Sequence, residues 1–122
     1  MAFIFAASSV PGSQVPAAIW DKLAHFLVYA ALGSFFLLPL AQGRPSGVTG
    51  ATMATAIALS FLYGLTDEVH QMFTPGRSPD VYDVIADTIG AAAGVAFTGV
   101  VALAWRMLAA RRHVLDHRHP RP

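Results

Sequence analysis

Three long apolar runs dominate this chain and leave it few ways to fold. Leu23 to Ala41 is 19 residues long and is interrupted only by His25. Val48 to Thr66, also 19 residues, has no charged residue, and Val84 to Trp105, 22 residues, has only Asp87. At about 1.5 Å per residue, 19 helical residues reach roughly 28 Å, close to the ~30 Å hydrocarbon core of a bilayer. A backbone in lipid finds no water to bond, so each run must satisfy its own peptide groups as a helix.

Composition points the same way. Charged residues are 12% of the chain and hydrophobic ones 55%, whereas a soluble domain carries roughly 25% charged residues. Lipid must therefore cover part of the surface. The expected fold is all-α: a small transmembrane helical bundle of three full membrane helices plus a short N-terminal apolar segment. That segment, Met1 to Ala7, is either an interfacial anchor or the end of a fourth helix whose beginning is missing. A chain of 122 residues holds one domain, read as a helical domain over 1–105 and a basic tail over 106–122. The absence of cysteine excludes disulfides, thiolate zinc sites and cysteine nucleophiles. A net charge of +1 gives no case for nucleic acid.

The connectors are legible. Ser8 to Pro16 is a loop, with Pro16 suited to a first helical turn. Gln42 to Gly47 is a tight turn, and Thr74-Pro75-Gly76-Arg77 fits a type II turn. Ser78-Pro79-Asp80 offers an N-cap, a first-turn proline and an early acid for the last helix. Beyond Trp105 come Arg106, Arg111, Arg112, Arg118 and Arg121 against Asp116. The positive-inside rule places this tail, read as solvated coil, in the cytoplasm. The turn with Arg44 is then inside and the turn with Arg77 outside. Trp20 and Tyr82 mark one interface and Trp105 the other.

Six of the seven acids fall at the expected outer end: Asp21, Asp67, Glu68, Asp80, Asp83 and Asp87. Lys22, His25, His70 and Arg77 join them. At about 100° per residue, Asp21, Lys22, His25 and Tyr29 share one arc of their helix. Asp67, Glu68, His70 and Gln71 share one side of the next, with Gly64 a turn below. Asp80, Asp83 and Asp87 stripe the last helix, and Gly90 and Gly94 continue the stripe as a close-packing surface. The acids should thus point into the bundle. Asp87 lies about 10 Å below Asp80, where an ionised carboxylate costs something like 2.5–3.5 kcal/mol.

Six acids against Lys22 and Arg77 need protonation, charged histidines or a cation. Asp67, Glu68, Asp83 and Asp87 are the candidate ligands for a divalent ion; oxygen donors suit magnesium, calcium or manganese, and added imidazole admits zinc. Each group also has a plainer role. Asp80 and Asp83 could cap a helix in water, Asp21 and Lys22 anchor at the interface, and Arg77 snorkel. His25, His70, Tyr29 and Tyr63 could simply pack. Asp67, Glu68 and Asp87 are hardest to explain that way.

Asp21-Lys22-Leu23-Ala24-His25-Phe26 followed by Tyr29 resembles the D-K-x-x-H-F-x-x-Y signature of the VanZ-like family. Tyr63 to Phe73, then Pro75 to Ser78 and Asp83 to Gly90, resembles its second signature, and Ser8 to Pro11 the end of its first membrane helix. The first helix is shortened here, and Asp87 stands where the family often has asparagine. The resemblance implies a multi-pass protein of the bacterial cytoplasmic membrane. The founding member is linked to low-level resistance to teicoplanin, a lipoglycopeptide acting on cell-wall precursors outside the membrane.

Four functions compete. In the first, an outer-leaflet polar pocket binds or modulates a membrane lipid, a lipid-linked cell-wall precursor or a lipoglycopeptide. Lys22, Tyr29, His70, Gln71, Arg77, Ser78, Asp83 and Asp87 would line it. In the second, a membrane-embedded hydrolase or transferase uses Asp67, Glu68, His25 and Arg77, with or without a divalent cation. No spacing identifies a known catalytic site; Glu68 and His70 lack the H-E-x-x-H pattern. Ion-coupled transport would require a homo-oligomer. A structural network fixing helix register is the fourth.

Overall fold

A computed structural model describes residues 18–75 and 78–118, with side chains from Trp20 to Arg112 within those ranges. The described residues form helices and turns, with no strand. Helix α1 is Ala18–Leu40, α2 is Gly50–Gln71 and α3 is Val81–Arg118. A single 3-10 turn, Pro45–Gly47, lies between α1 and α2. The apolar segment before Ser8, the loop to Pro16 and the Gly76-Arg77 half of the later turn lie outside the described residues.

Two helices are long and apolar enough to cross a membrane: Trp20–Leu40 and Val81–Arg112. The run from Val48 to Thr66 is helical as expected. Its threonines, glycines and serine dilute its hydropathy, and Asp67 and Glu68 close it, so α2 does not join those two. Large apolar side chains such as Phe35, Leu62, Phe97, Val100 and Trp105 stand exposed along the helices. Such a belt is too extensive for a water-facing surface and suits contact with lipid tails.

Local chemistry sets the ends. Helix α1 closes with a Schellman pattern: the Gly43 N–H donates to the Leu38 carbonyl at 3.0 Å, and the Gln42 N–H to Pro39 at 2.9 Å. Gln42 takes the left-handed conformation, φ 54°, and Gly43 follows at 64°. Thr49 caps α2 through a capping box with Thr52, each side-chain oxygen accepting from the other's backbone N–H. For α3 the expected cap at Ser78 moves two residues on. The Asp80 carboxylate accepts from the Tyr82 N–H at 2.9 Å, and its carbonyl accepts from Val84 at 3.4 Å. Pro79 therefore precedes the helix instead of opening it.

The last helix also departs from expectation at its far end. It continues past Trp105 to Arg118, so the expected coil is a helical extension. Arginine, alanine and leucine all favour helix, and no glycine or proline intervenes before Pro120.

Helices α1 and α3 make the closest pair, because glycines remove the side chains between them. A Cβ on Gly90 would strike the Phe26 carbonyl, and one on Gly94 the Ala30 carbonyl. From the other side, a Cβ on Gly33 would lie 2.6 Å from the Ala91 carbonyl oxygen. Ser34 and Thr98 bridge the same pair at 3.1 Å. Leu37, Ala56 and Val95, one from each helix, form the apolar centre. The polar residues collect above it, toward the Asp80 end.

Candidate functional site

Close approach of the backbones decides what can be buried at the Asp80 end. With Gly64 facing Asp87 (a Cβ would sit 3.0 Å from Oδ2), three helices bring short polar side chains together. Asp67, Glu68 and Gln71 from α2, Asp83 and Asp87 from α3, and Tyr29 from α1 are all buried. Asp67 and Asp87 are each 1% exposed. Buried charges are rarely left without partners, and most of these have one.

Lys22 is the central cation. Its ammonium donates to Asp80 Oδ2 at 2.5 Å and to Asp83 Oδ1, tying α1 to the start of α3. Lys22 is about a third exposed and Asp83 is buried, so the pair lies on the boundary between the interior and the headgroup zone. Asp80 is a junction. Besides meeting Lys22 and capping α3, it donates its backbone N–H to Glu68 Oε2 at 2.7 Å. The Lys22 ammonium, followed by the Tyr82 N–H, holds the Asp80 carboxyl below its ordinary value of 3.8. Both Asp80 and Asp83 sit where the N-terminal dipole of α3 favours negative charge.

Deeper in, His25 Nδ1 meets Asp87 Oδ1 at 2.9 Å. The imidazole stacks on Tyr29, with centroids 6.5 Å apart and planes within 7°. Tyr29 in turn lies 6.4 Å from the Tyr63 ring. Gln71 Nε2 reaches Asp67 Oδ2 at 3.5 Å, a long contact. Three buried atoms have no hydrogen-bond partner among the described residues: Tyr29 Oη, Glu68 Oε1 and Asp87 Oδ2. Leaving such atoms unmatched costs roughly 1–3 kcal/mol each, so they mark where a donor would be welcome.

The expected residues thus divide. Lys22, His25, Tyr29, Asp67, Glu68, Gln71, Asp83 and Asp87 come together. His70 is half-buried at the end of α2, and Ser78 is exposed in the connection to α3. Arg77 lies outside the described residues. Among the described residues one group has the geometry to hold a cation, and it shares Asp83 with the expected set Asp67, Glu68, Asp83 and Asp87. Asp21, His25 and Asp83 each offer a ligand atom, all within 4.8 Å of one another. Asp21 is a donor outside the expected ligand set, although its four-residue spacing from His25 puts both on one helix face. Of the two acids that could cap a helix in water, Asp80 caps α3, and Asp83 is buried against Lys22.

Chemically, the cluster can accept hydrogen bonds, hold a cation and orient an imidazole by a carboxylate, as acid–base sites do.

These features describe a small helical bundle with two helices long and apolar enough to cross a membrane and a carboxylate-rich interior gathered toward one end. Residues 1–103 match the family model VanZ/LLP1, and the chain belongs to that family. No curated protein and no solved structure matches it.

Proposed function

We propose that this chain is a multi-pass envelope protein that binds the polar head of an amphiphile through the cluster at the Asp80 end. In this reading α2 crosses the bilayer beside α1 and α3, the N-terminal apolar segment adds a fourth pass or anchor, and the arginine-rich end faces the bacterial cytoplasm. The cluster then lies at the outer leaflet. The observation that carries the reading is the trio of buried acceptors, Tyr29 Oη, Glu68 Oε1 and Asp87 Oδ2, beside the His25–Asp87 and Lys22–Asp83 pairs. A head rich in donors, such as sugar hydroxyls, amides or an ammonium, complements them. A lipid-linked cell-wall precursor and a lipoglycopeptide antibiotic both carry such a head on a hydrophobic tail, and family membership favours that class. Arg77, His70 and Ser78 would line the approach.

The test is direct binding. Purified protein in nanodiscs is titrated with a lipid-linked precursor, with teicoplanin and with phosphatidylcholine as control. Saturable binding of either of the first two, weakened about tenfold by E68Q or Y29F with the fold intact, supports the proposal. Binding indifferent to these changes removes it.

A second reading rests on Asp21, His25 and Asp83, whose ligand atoms lie close enough for a divalent ion. A metal there would supply Lewis-acid chemistry or an activated water for a hydrolase or transferase. Lys22 already neutralises Asp83, so bound ion and ammonium compete. Elemental analysis after purification without chelators decides: about one zinc or manganese per chain, lost in H25A, supports the metal site, and a metal-free protein that binds none on titration eliminates it.

A further inference from the structure

The end of the molecule opposite the carboxylates holds a groove that the proposed site does not use. It has a volume of about 400 Å³, and Leu38, Ala41, Val48, Val101 and Trp105 line it, with Arg44 at its mouth. The size falls in the usual ligand range of roughly 300–1,000 Å³. Its walls come from the end of α1, the 3-10 turn and the middle of α3, so it opens sideways between helices. The left-handed residues Gln42 and Gly43 swing the chain away from α1 there and leave Arg44 exposed beside the apolar wall.

Charge separates this end sharply from the other. Every described acidic side chain lies at the Asp80 end. Arg44, Arg106, Arg111 and Arg112 are exposed at the groove end, and no described acid accompanies them. Arg44 forms no ion pair among the described residues. Its guanidinium presents several donors in one plane, a geometry that fits phosphate oxygens.

We infer that this groove seats one acyl chain of an anionic phospholipid, with Arg44 on the phosphate and Trp105 against the upper chain. Apolar wall and cationic mouth match the two halves of such a lipid, and tryptophan favours the interfacial depth where they join. The inference needs the helices to lie in a bilayer but is independent of what the carboxylate cluster binds.

Trp105 provides the readout, since Trp20 is the one other tryptophan. The full chain carrying W20F is placed in nanodiscs containing equal amounts of phosphatidylglycerol and phosphatidylcholine, one of them brominated on its acyl chains. Brominated phosphatidylglycerol should quench Trp105 with about fivefold preference, the size expected for one well-placed basic residue. R44Q should bring the preference to near parity while quenching by both lipids persists. V101F, which fills the groove without touching charge, should reduce quenching by both. Equal quenching by the two lipids in the parent protein overturns the inference, as does a preference that survives R44Q. Shielding of Trp105 from both lipids overturns it too, because another copy of the chain would then cover the groove.

Discussion

Lys22 shows how one side chain can decide whether several acids are tolerable. It bridges Asp80 and Asp83, and removing its charge leaves the buried Asp83 carboxylate uncompensated. Breaking a buried pair on one side costs about 3–5 kcal/mol; partial exposure of Lys22 puts K22M at about 3 kcal/mol, at the low end. K22M should therefore lower the thermal midpoint in detergent markedly, and K22M with D83N should recover much of the loss. A double mutant as unstable as the single one would mean that Lys22 acts through packing alone. Acidity probes the same contact. The Asp80 carboxyl is held below 3.8 in the fold, so its contribution to stability is complete above that pH and disappears as pH falls through the lower folded value. Stability measured from pH 6 down to pH 3 should drop less steeply in D80N than in the parent. Equal slopes would show that the Lys22–Asp80 contact is too exposed to matter.

At the scale of helices, glycine placement sets the contact. Gly94 faces the backbone of Ala30, which cannot yield, whereas Gly99 faces the flexible end of Met53, where a Cβ would lie 3.2 Å from Cε. The two substitutions should differ although both add one methyl group. G94A forces α1 and α3 apart and should cost at least the roughly 1–3 kcal/mol of ordinary overpacking. G99A should be near neutral, because a thioether adapts; equal losses would contradict this account of the interface. The same logic explains what could be read beforehand. Apolar length announced the helices, and spacing placed Gly64, Gly90 and Gly94 on the faces that do pack. Thr49, the Schellman turn at Gln42 and the cap at Asp80 were hidden, because neighbouring residues compete for each role and hydrogen bonds choose among them. Convergence of the acids was legible from helical phase. Which acid meets which cation was not, since Asp83 finds Lys22, and Asp87 finds His25, through the relative rotation of two helices. The basic tail is helical to Arg118 where coil was expected, because arginine, alanine and leucine favour helix whatever their charge does for orientation.

Over the whole molecule the two ends differ in kind, and that difference predicts how it sits in a membrane. The described acidic side chains and their partners occupy the Asp80 end, while the described arginines occupy the end with Arg44 and the extension of α3. Cationic residues near membrane helices are retained on the cytoplasmic side. The connection before α3 should then face outward and the turn between α1 and α2 inward. The chain has no cysteine, so single cysteines report without background. Ser46 and Ser78 are both exposed, one in each connection. In intact cells a membrane-impermeant maleimide should label S78C and leave S46C unmodified until the membrane is permeabilised. The outcome also bears on α2, whose hydropathy alone does not establish a crossing. Labelling of both positions from the same side would show that α2 lies along the interface or re-enters it. If S78C also stays unmodified until the membrane is permeabilised, the carboxylate cluster faces the compartment opposite to the one its proposed ligand requires.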